Sequence, residues 1–144
     1  MAETTPNSAL HDFNTSLIAE FRANGGRVSG PFANAPLLVL TTIGAKSGRA
    51  HTVPVVYSKD GDRLIIIASK GGAPVSPAWY HNLKANPRAV VELGGETFDV
   101  NAEITDGAER DRLFQQQAAA LPNFNDYQSR TERRIPVIAL TRVG

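Results

Sequence analysis

The sequence predicts a β-rich α+β fold in which about six antiparallel strands close into a small barrel, with an N-terminal helix and two or three further helices. Three observations lead to this prediction. Six short runs are rich in Val, Ile and Thr, which favour strands. Short connections between successive runs favour antiparallel pairing. Six strands with added helices favour closure into a barrel, and 144 residues are typical of one domain.

The first element is an amphipathic helix predicted from Ser8 to Asn24, which Gly25 and Gly26 end. Its apolar side chains recur near helical spacing at Leu10, Phe13, Leu17 and Phe21. A helix that lies on a membrane surface normally has a basic polar face, and the polar face of this helix is not basic. We therefore expect the helix to pack on its own barrel, with residues 1–34 forming the helix and a connector and residues 35–144 forming the barrel.

The six strand-like runs follow in order along the chain. They are Leu37–Ile43, Thr52–Ser58, Arg63–Ala68, Ala89–Leu93, Phe98–Ile104 and Ile135–Val143. Pro54 lies inside the second run and has no backbone N–H to donate to a neighbouring strand. The second strand should therefore be at a sheet edge, or contain a bulge, at this point.

Two further helices are predicted between the strands. The first, Pro77–Ala85, has proline in the favoured first turn and is ended by the Asn-Pro pair that follows it. The second is Gly107–Leu121, with Asp106 expected as its N-cap and Pro122 ending it. The polar segment from Pro122 to Arg134 then carries two aromatic rings and is expected to cover an active site as a lid. The alternative is an ordinary surface loop with one of the two rings tucked into the core.

Composition excludes several classes of protein. The chain has no cysteine, so it has no disulfide, no thiolate metal site and no cysteine nucleophile. No apolar run approaches the roughly 20 residues needed to span a membrane, and the N-terminus does not resemble a signal peptide. A net charge of +1 argues against a general nucleic-acid binder. These features favour a cytoplasmic protein.

The usual catalytic and metal-binding motifs are missing. The three histidines, His11, His51 and His81, are scattered without metal-ligand spacing. No nucleophile elbow is present, and no Ser/His/Asp set follows from the spacing. Hydrolase and metal-site interpretations are therefore not favoured, and no metal is expected.

Positive charge is concentrated in the middle of the chain. Residues 44–88 contain seven cations and two anions, a net of +5, which leaves −4 for the rest of the chain. Both anions lie in the turn sequence SKDGDR, so the basic region becomes sharper if that turn points away from the other cations. A basic region on a nearly neutral protein suggests an anionic small ligand. Solvated loops on a mixed surface are the alternative.

Three segments could contact such a ligand. The loop from Gly44 to Arg49 combines glycines with two cations, which suits an anion-binding nest, although many hairpin turns look the same. In the segment 68–74, a hydroxyl, a cation and two glycines follow a strand, and the alternative is a plain connection. In the segment 78–87, Trp79 could hold a planar ring or could be part of the core.

Together, these segments resemble the deazaflavin (coenzyme F420)-dependent nitroreductase and quinone reductase family. The matching stretches are TTIGAKSGRAHTVPVVY, IIIASKGGAPVSPAWYHNLKANP and NFNDYQSRTERRIPVIAL, and the resemblance covers roughly Ala35 to Leu140. It implies a split β-barrel that uses coenzyme F420, whose far end carries a phosphate and an oligoglutamate tail. It also implies an oxidoreductase that transfers a hydride from the reduced deazaflavin to a quinone, a nitroaromatic compound or a similar small acceptor.

The resemblance also implies the site residues. The coenzyme-binding positions are Ala45, Lys46, Ser47, Arg49, His51, Thr52, Val53, Pro54, Val55, Val56, Ile67, Ala68, Ser69, Lys70, Ala78, Trp79, Tyr80, His81 and Asn82. Phe124 and Tyr127 are expected to line the substrate pocket, and Ser69 and Tyr127 to act as catalytic residues, Ser69 mainly by orienting. Three positions that can hold tyrosine in the family are apolar here, namely Val56, Leu121 and Phe124. This weakens the expectation of nitroimidazole reduction and leaves quinone reduction open.

The expected chemistry needs positioning more than a nucleophile. Donor and acceptor must be held about 3–3.5 Å apart with water excluded. The proton for the reduced acceptor could come from Ser69, from Tyr127 or from solvent. Other open possibilities are a related split barrel that binds FMN or haem, and a non-catalytic F420 carrier. A homodimer is expected by analogy. The protein is expected to be soluble and cytoplasmic, and peripheral contact with the inner face of the membrane stays open because quinones are lipid-soluble.

Overall fold

The computed structural model describes residues 6–28, 36–69, 76–129, 131 and 134–143, and within these ranges six antiparallel strands form a closed barrel. The strands are β1 (Leu37–Ile43), β2 (Ala50–Asp60), β3 (Arg63–Ile67), β4 (Arg88–Leu93), β5 (Glu96–Ile104) and β6 (Val137–Arg142). The helices are α1 (Pro6–Ala23), α2 (Ala78–Ala85), α3 (Gly107–Ala120) and α4 (Asn123–Ser129). Neighbouring strands in the barrel follow the order β1-β2-β3-β6-β5-β4. The predicted fold class is confirmed.

Alternation along each strand builds the barrel interior. Leu38 and Leu40 of β1 point inward and are fully buried, as are Ile66 of β3 and Val91 of β4. Because side chains of a strand alternate between its faces, the intervening residues point outward. Several outward residues are also apolar and buried, so helices must cover those parts of the barrel; they are Leu37 and Val39 of β1, Ile65 and Ile67 of β3, and Val137 and Ala139 of β6.

Helix α1 covers the outer face of β1. Leu17 and Phe21 pack with Leu37 and Val39 in one buried cluster. The Arg22 guanidinium donates Nε and Nη2 to the two carboxylate oxygens of Glu92 on β4, at 2.8 and 2.7 Å. The prediction that this helix packs on its own barrel is therefore confirmed. Among the described residues, no helix is both long and apolar enough to cross a bilayer.

Helices α3 and α4 cover the outer faces of β3 and β6. Leu113 and Phe114 of α3 and Phe124 of α4 pack against outward-facing residues such as Ile65 and Val137. Helix α4 was not predicted as a separate element, since only a polar lid segment was expected there. Asp106 occupies the predicted N-cap position of α3, but its side chain makes no capping hydrogen bond.

Strand β2 splits away from β3 partway along its length. The two strands pair only where Tyr57–Asp60 lie opposite Arg63–Ile66. Within the described part of the chain, residues 50–56 pair with β1 alone. Pro54 lies in this stretch, so its expected position at a sheet edge is confirmed. The split leaves an open backbone edge beside the end of β3.

The two ends of the barrel differ. The β2–β3 turn, in which Gly61 has φ of 60°, lies at one end. The β1–β2 loop at residues 44–49 lies at the other end, together with α2, the end of β3 and the start of β6. The described parts of the three predicted coenzyme segments therefore lie toward the second end, which we call the loop end.

Candidate functional site

A cavity of about 600 Å³ opens at the loop end between the β1–β2 loop and α2. It is lined by Gly44, Ala45, Lys46, Ser47, His51, Ala78, His81 and Asn82. All but the first of these were predicted to bind the coenzyme. The structure therefore brings the first and third predicted segments together around one space.

The β1–β2 loop is folded tightly on its own backbone. Gly44 N donates to Arg49 O at 2.7 Å, and Gly48 N donates to Gly44 O at 3.0 Å. A side chain on Gly44 would displace the side chains of Ser47 and His51, since its Cβ would lie 2.8 Å from His51 Nε2 and closer still to Ser47 Oγ. Gly48 has φ of 72°, a left-handed conformation that glycine adopts without strain.

A buried amide fixes the loop to α2. Asn82 is only 7% exposed, and its Oδ1 accepts a hydrogen bond from Ala45 N at 3.0 Å. Its Nδ2 donates to Thr42 Oγ1 at 3.0 Å. Both ends of the amide are thus used to hold the protein together. Asn82 positions the loop, and its direct contact with a coenzyme stays a prediction.

The two loop cations have no internal partner. Lys46 and Arg49 are exposed, and neither forms an ion pair with any residue that the structure describes. By contrast, seven other arginines pair with carboxylates, namely Arg22, Arg63, Arg88, Arg110, Arg112, Arg134 and Arg142. The loop charges are therefore free to attract an external anion.

The acidic turn lies far from these cations. This is the arrangement under which the sequence predicted a sharper basic region. Asp60 ends β2, whereas the loop precedes its first residue, so the full length of the strand separates them. Arg63 stays at the acidic end and pairs with Asp60 and with Glu109 of α3. Lys59 lies there as well. The basic character of the loop end therefore rests on fewer cations than the sequence window suggested.

Helix α2 presents different residues to the cavity and to the core. Ala78, His81 and Asn82 share one face at the i, i+3, i+4 spacing of a helix and line the cavity. Trp79 and Tyr80 are partly buried and pack against the barrel core. Trp79 therefore packs on the core, as one of its two interpretations proposed. A contact between its remaining exposed surface and the coenzyme stays a prediction.

Strand β2 divides its predicted site residues between two faces. Val53 and Val55 pack on the barrel core, whereas Val56 packs with the helices on the outer face. Thr52 Oγ1 shares a 2.9 Å hydrogen bond with Thr41 Oγ1 of β1. For Val53 and Val55, the atoms left for a ligand are therefore chiefly those of the backbone along the split.

The end of β3 reaches the same split. Ala68 is fully buried, and its N–H donates to Pro136 O at 3.0 Å. Ile67 packs outward with α3 and α4, and Ser69 is 8% exposed. Lys70 and the glycines after it lie outside the described residues, so their predicted role is not addressed by the structure.

Helix α4 carries Phe124 and Tyr127, the two residues predicted to line the substrate pocket. Phe124 is 6% exposed and meets Tyr127 edge to face, with ring centroids 5.3 Å apart. Tyr127 is half-buried and, with Val56 and Leu121, packs at the margin of the same apolar cluster. Because Phe124 lies deeper, it supports the tyrosine ring from behind. Tyr127 is the more exposed of the two rings.

Two buried side chains that anchor parts of the candidate site were not predicted from the sequence. Thr42, 1% exposed, anchors Asn82, and Arg110, 7% exposed, binds the start of the β6 segment. A polar residue near the end of the apolar strand LLVLTTI could have drawn attention to Thr42. Arg110 lies three and four residues before Leu113 and Phe114, on the buried face of α3, so helical periodicity could have separated it from its exposed neighbour Arg112.

Comparison with known proteins addresses the family directly. A family model described as F420H(2)-dependent quinone reductase matches residues 15–142. An F420H(2)-dependent quinone reductase of Mycobacterium tuberculosis is 43% identical over 137 residues, which cover 92% of this chain and 88% of the relative.

Two solved structures are similar in both fold and sequence. One, described as an F420-H2 dependent reductase, is 38% identical with a TM-score of 0.67, and the match covers 73% of this chain and 93% of that one. Another, described as a domain-swapped dimer, is 33% identical with a TM-score of 0.70, and the match covers 94% and 99%. These findings do not favour the FMN or haem alternatives. The chain belongs to the F420H(2)-dependent quinone reductase family, an oxidoreductase family whose cofactor is coenzyme F420.

Proposed function

We propose that this protein transfers a hydride from reduced coenzyme F420 to a quinone at the loop end of the barrel, and that Lys46 and Arg49 hold the anionic end of the coenzyme. This assignment of residues rests on one observation. Lys46 and Arg49 have no ion-pair partner among the described residues, and Asn82 fixes the loop that carries them. A loop already fixed in place loses little conformational freedom when it binds.

The residues present fit a polyanionic coenzyme tail. A phosphate and several carboxylates require donors that are not already neutralised, and the loop cations meet this requirement. Gly44 and Gly48 allow a tight backbone turn at the mouth of the cavity. Ser47 Oγ accepts from Arg49 N at 3.1 Å and lies 3.3 Å from His51 Nε2, so these side chains are ordered toward the same space.

The split between β2 and β3 suits the planar end of the coenzyme. Bound there, the reduced deazaflavin would supply two electrons as a hydride. The protein's part is to orient donor and acceptor and to exclude water. The free edge of β2 offers backbone groups at residues 51–56, and Ser69 lies at the end of β3 beside this edge. Ser69 is assigned an orienting hydrogen bond.

The acceptor is proposed to lie against α4. The wall there is apolar, since Val56 and Leu121 border the Tyr127 ring and Phe124 supports it. A quinone ring can stack on Tyr127, whose hydroxyl could donate to the reduced oxygen. A nitroaromatic compound would find fewer polar partners in the same place. We therefore infer a preference for quinones over nitroimidazoles.

One titration tests the coenzyme, and one assay tests the acceptor. Purified protein should bind coenzyme F420 more tightly than FMN or NADPH, measured by changes in coenzyme absorbance and fluorescence. With reduced coenzyme, menadione should be turned over faster than a nitroimidazole. Tight FMN binding without F420 binding would overturn the proposal, and F420 binding without turnover of any acceptor would favour a carrier.

We infer that the protein is a homodimer. Support comes from the solved structure at 33% identity that is described as a domain-swapped dimer. Light scattering coupled to size-exclusion chromatography should give about twice the 15.5 kDa mass of the chain. A mass equal to that of one chain at micromolar concentration would contradict the inference.

A further inference from the structure

Arg110 of α3 is a buried guanidinium with unusually many partners. The residue is 7% exposed, and burial lowers the pKa of its side chain from the ordinary value. Its ion pair is with Asp111 at 3.1 Å, but that carboxylate is 55% exposed and is shared with Arg134. A buried charge is costly unless hydrogen bonds replace its lost hydration. The positions of those hydrogen bonds therefore show what Arg110 holds in place.

The guanidinium hydrogen-bonds to two other segments of the chain. Nε and Nη2 donate to Ile135 O, just before β6, at 3.0 and 2.7 Å. Nη2 also donates to Gln128 Oε1 of α4 at 2.8 Å. The same Gln128 oxygen accepts from Ile135 N at 3.1 Å, which closes the arrangement. The Phe114 ring lies beneath the guanidinium, with its centroid 4.6 Å from Arg110 Cζ. We call this group, Arg110, Gln128 and Ile135, the α4 clamp.

We propose that Arg110 is a positioning residue for the acceptor, because the α4 clamp fixes the helix that carries Tyr127; this rests on the proposed function, in which Tyr127 borders the acceptor. Gln128 is the next residue after Tyr127 in the chain. Helix α4 has only seven residues, too few to hold its own conformation without tertiary contacts. The clamp holds its last turn, while Phe124 holds its first turn in the core.

Only arginine can make these contacts together. Its planar fork presents several N–H groups in fixed directions, whereas a lysine ammonium is a single charged point on a flexible stem. Arg110→Lys should therefore keep the charge and lose the simultaneous bonds to Ile135 O and Gln128 Oε1. The coenzyme loop should be undisturbed, because among the described residues its hydrogen bonds are internal or made with Asn82 and His51 and not with the α4 clamp.

The test compares Arg110→Lys and Gln128→Ala with the control Arg112→Lys. Arg112 lies on the same helix, but its side chain is 54% exposed and pairs with Asp60, at the barrel end opposite the loop end. The measurements are the coenzyme Kd, the menadione KM and kcat, the melting temperature, and amide hydrogen exchange over residues 124–129.

For Arg110→Lys, the menadione KM should rise by up to about tenfold, because losing internal hydrogen bonds lowers the fraction of molecules in which α4 is placed to bind the acceptor. The coenzyme Kd should stay within about twofold, and exchange across α4 should become faster. Gln128→Ala should act in the same direction. The double variant should lose little more than either single variant, because both remove one connected group. Arg112→Lys should leave KM and α4 exchange as in the parent.

Three results would overturn the proposal. The first is an unchanged menadione KM with a lower melting temperature, which would make Arg110 a structural residue only. The second is an equal loss of coenzyme and acceptor binding, which would indicate general loosening. The third is unchanged exchange over α4. If the parent protein binds coenzyme F420 but reduces no quinone, the proposed function fails and the acceptor role of Arg110 fails with it. Faster α4 exchange in Arg110→Lys would then show that the clamp itself was correctly identified.

Discussion

Replacing Lys46 with alanine removes an exposed charge that has no carboxylate partner among the described residues, so the loss should fall on the bound anion and not on the fold. Loss of one charge-assisted hydrogen bond should weaken coenzyme F420 binding roughly tenfold to a hundredfold. Binding by the parent should weaken as salt rises, because part of the attraction is screened. Fluorescence titration at several salt concentrations measures both effects.

A matched control is available for this prediction. Lys59 is also an exposed lysine, but it lies next to Asp60 at the opposite end of β2. Lys59→Ala should leave coenzyme affinity unchanged. Equal affinities for the parent, Lys46→Ala and Arg49→Ala would mean that the loop is only a solvated turn, which was the alternative interpretation of its sequence.

Asn82 allows positioning and charge to be separated. Asn82→Leu leaves Ala45 N–H and the Thr42 hydroxyl without their partner, so the free energy of unfolding should fall by about 1–3 kcal/mol. In Asn82→Asp, an oxygen replaces Nδ2 and the Thr42 hydroxyl can donate to it, so stability should be better preserved. Its negative charge next to the anion site should nevertheless weaken coenzyme binding. Urea unfolding and coenzyme titration of both variants distinguish the two effects, and a coenzyme Kd unchanged in both would exclude Asn82 from the site.

At the scale of single residues, the sequence indicated which residues belong to the site better than it indicated what each side chain contacts. It predicted Asn82 as a site residue through family resemblance, but its hydrogen-bond partners lie 37 and 40 positions away. No local pattern reports such a contact. The same limit applies to Arg110, whose partners lie 18 and 25 positions further along. Lys46 was easier, because a free cation on a glycine-containing loop needs no distant partner to be noticed.

At the scale of elements, α4 offers a direct test through Tyr127. Tyr127→Ala should raise the acceptor KM or lower kcat/KM, with little change in coenzyme affinity, since the ring and not the coenzyme loop is lost. Tyr127→Phe isolates the hydroxyl. A large loss of activity in Tyr127→Phe indicates a hydrogen bond to the acceptor, and near-parent activity indicates stacking alone. Both variants are assayed with menadione and with a nitroimidazole at saturating reduced coenzyme. Parent-like activity of Tyr127→Ala on both acceptors would remove α4 from the substrate wall.

The strands were predictable and α4 was not, for a physical reason. β1 was predicted with its observed bounds, because LLVLTTI is a continuous apolar and β-branched run. The predicted sixth strand began two residues early, at Ile135, which is buried but serves the α4 clamp. The α4 sequence NFNDYQS is short and polar, and its helix depends on contacts made by α3 and by the core. Such tertiary stabilisation leaves no periodic pattern in the sequence.

At the scale of the whole molecule, charges are arranged differently at the two ends of the barrel. Within the described part of the chain, Lys46 and Arg49 at the loop end form no ion pair, whereas the opposite end contains an ion-pair network of Asp60, Arg63, Glu109 and Arg112. There, Asp60 accepts hydrogen bonds from Arg63 and from Arg112 of α3, which connects the β2–β3 hairpin to the helix. Gln116 Nε2 adds a 2.6 Å hydrogen bond to Lys59 O. If Lys46 and Arg49 hold the coenzyme as proposed, binding and stability depend on different charges, and changing one set should leave the other largely intact.

This separation predicts how acid affects stability. Hydrogen bonds from Arg112 and then from Arg63 lower the pKa of Asp60 from 3.8 to about 2. Because the folded-state pKa is lower than the unfolded one, the carboxylate stabilises the fold above about pH 4, and this contribution is lost as the pH falls toward 2. The difference in free energy of unfolding between the parent and Asp60→Asn should therefore be largest above pH 4 and should shrink toward zero near pH 2. Urea unfolding at intervals from pH 6 to pH 2 measures this difference.

Asp62→Asn, in the same turn but without an ion pair among the described residues, is the control and should show little pH-dependent difference from the parent. A parent-to-Asp60→Asn difference that stays constant over this range would mean that the ion pairs with Arg63 and Arg112 do not persist in solution, and that other contacts hold the hairpin to α3.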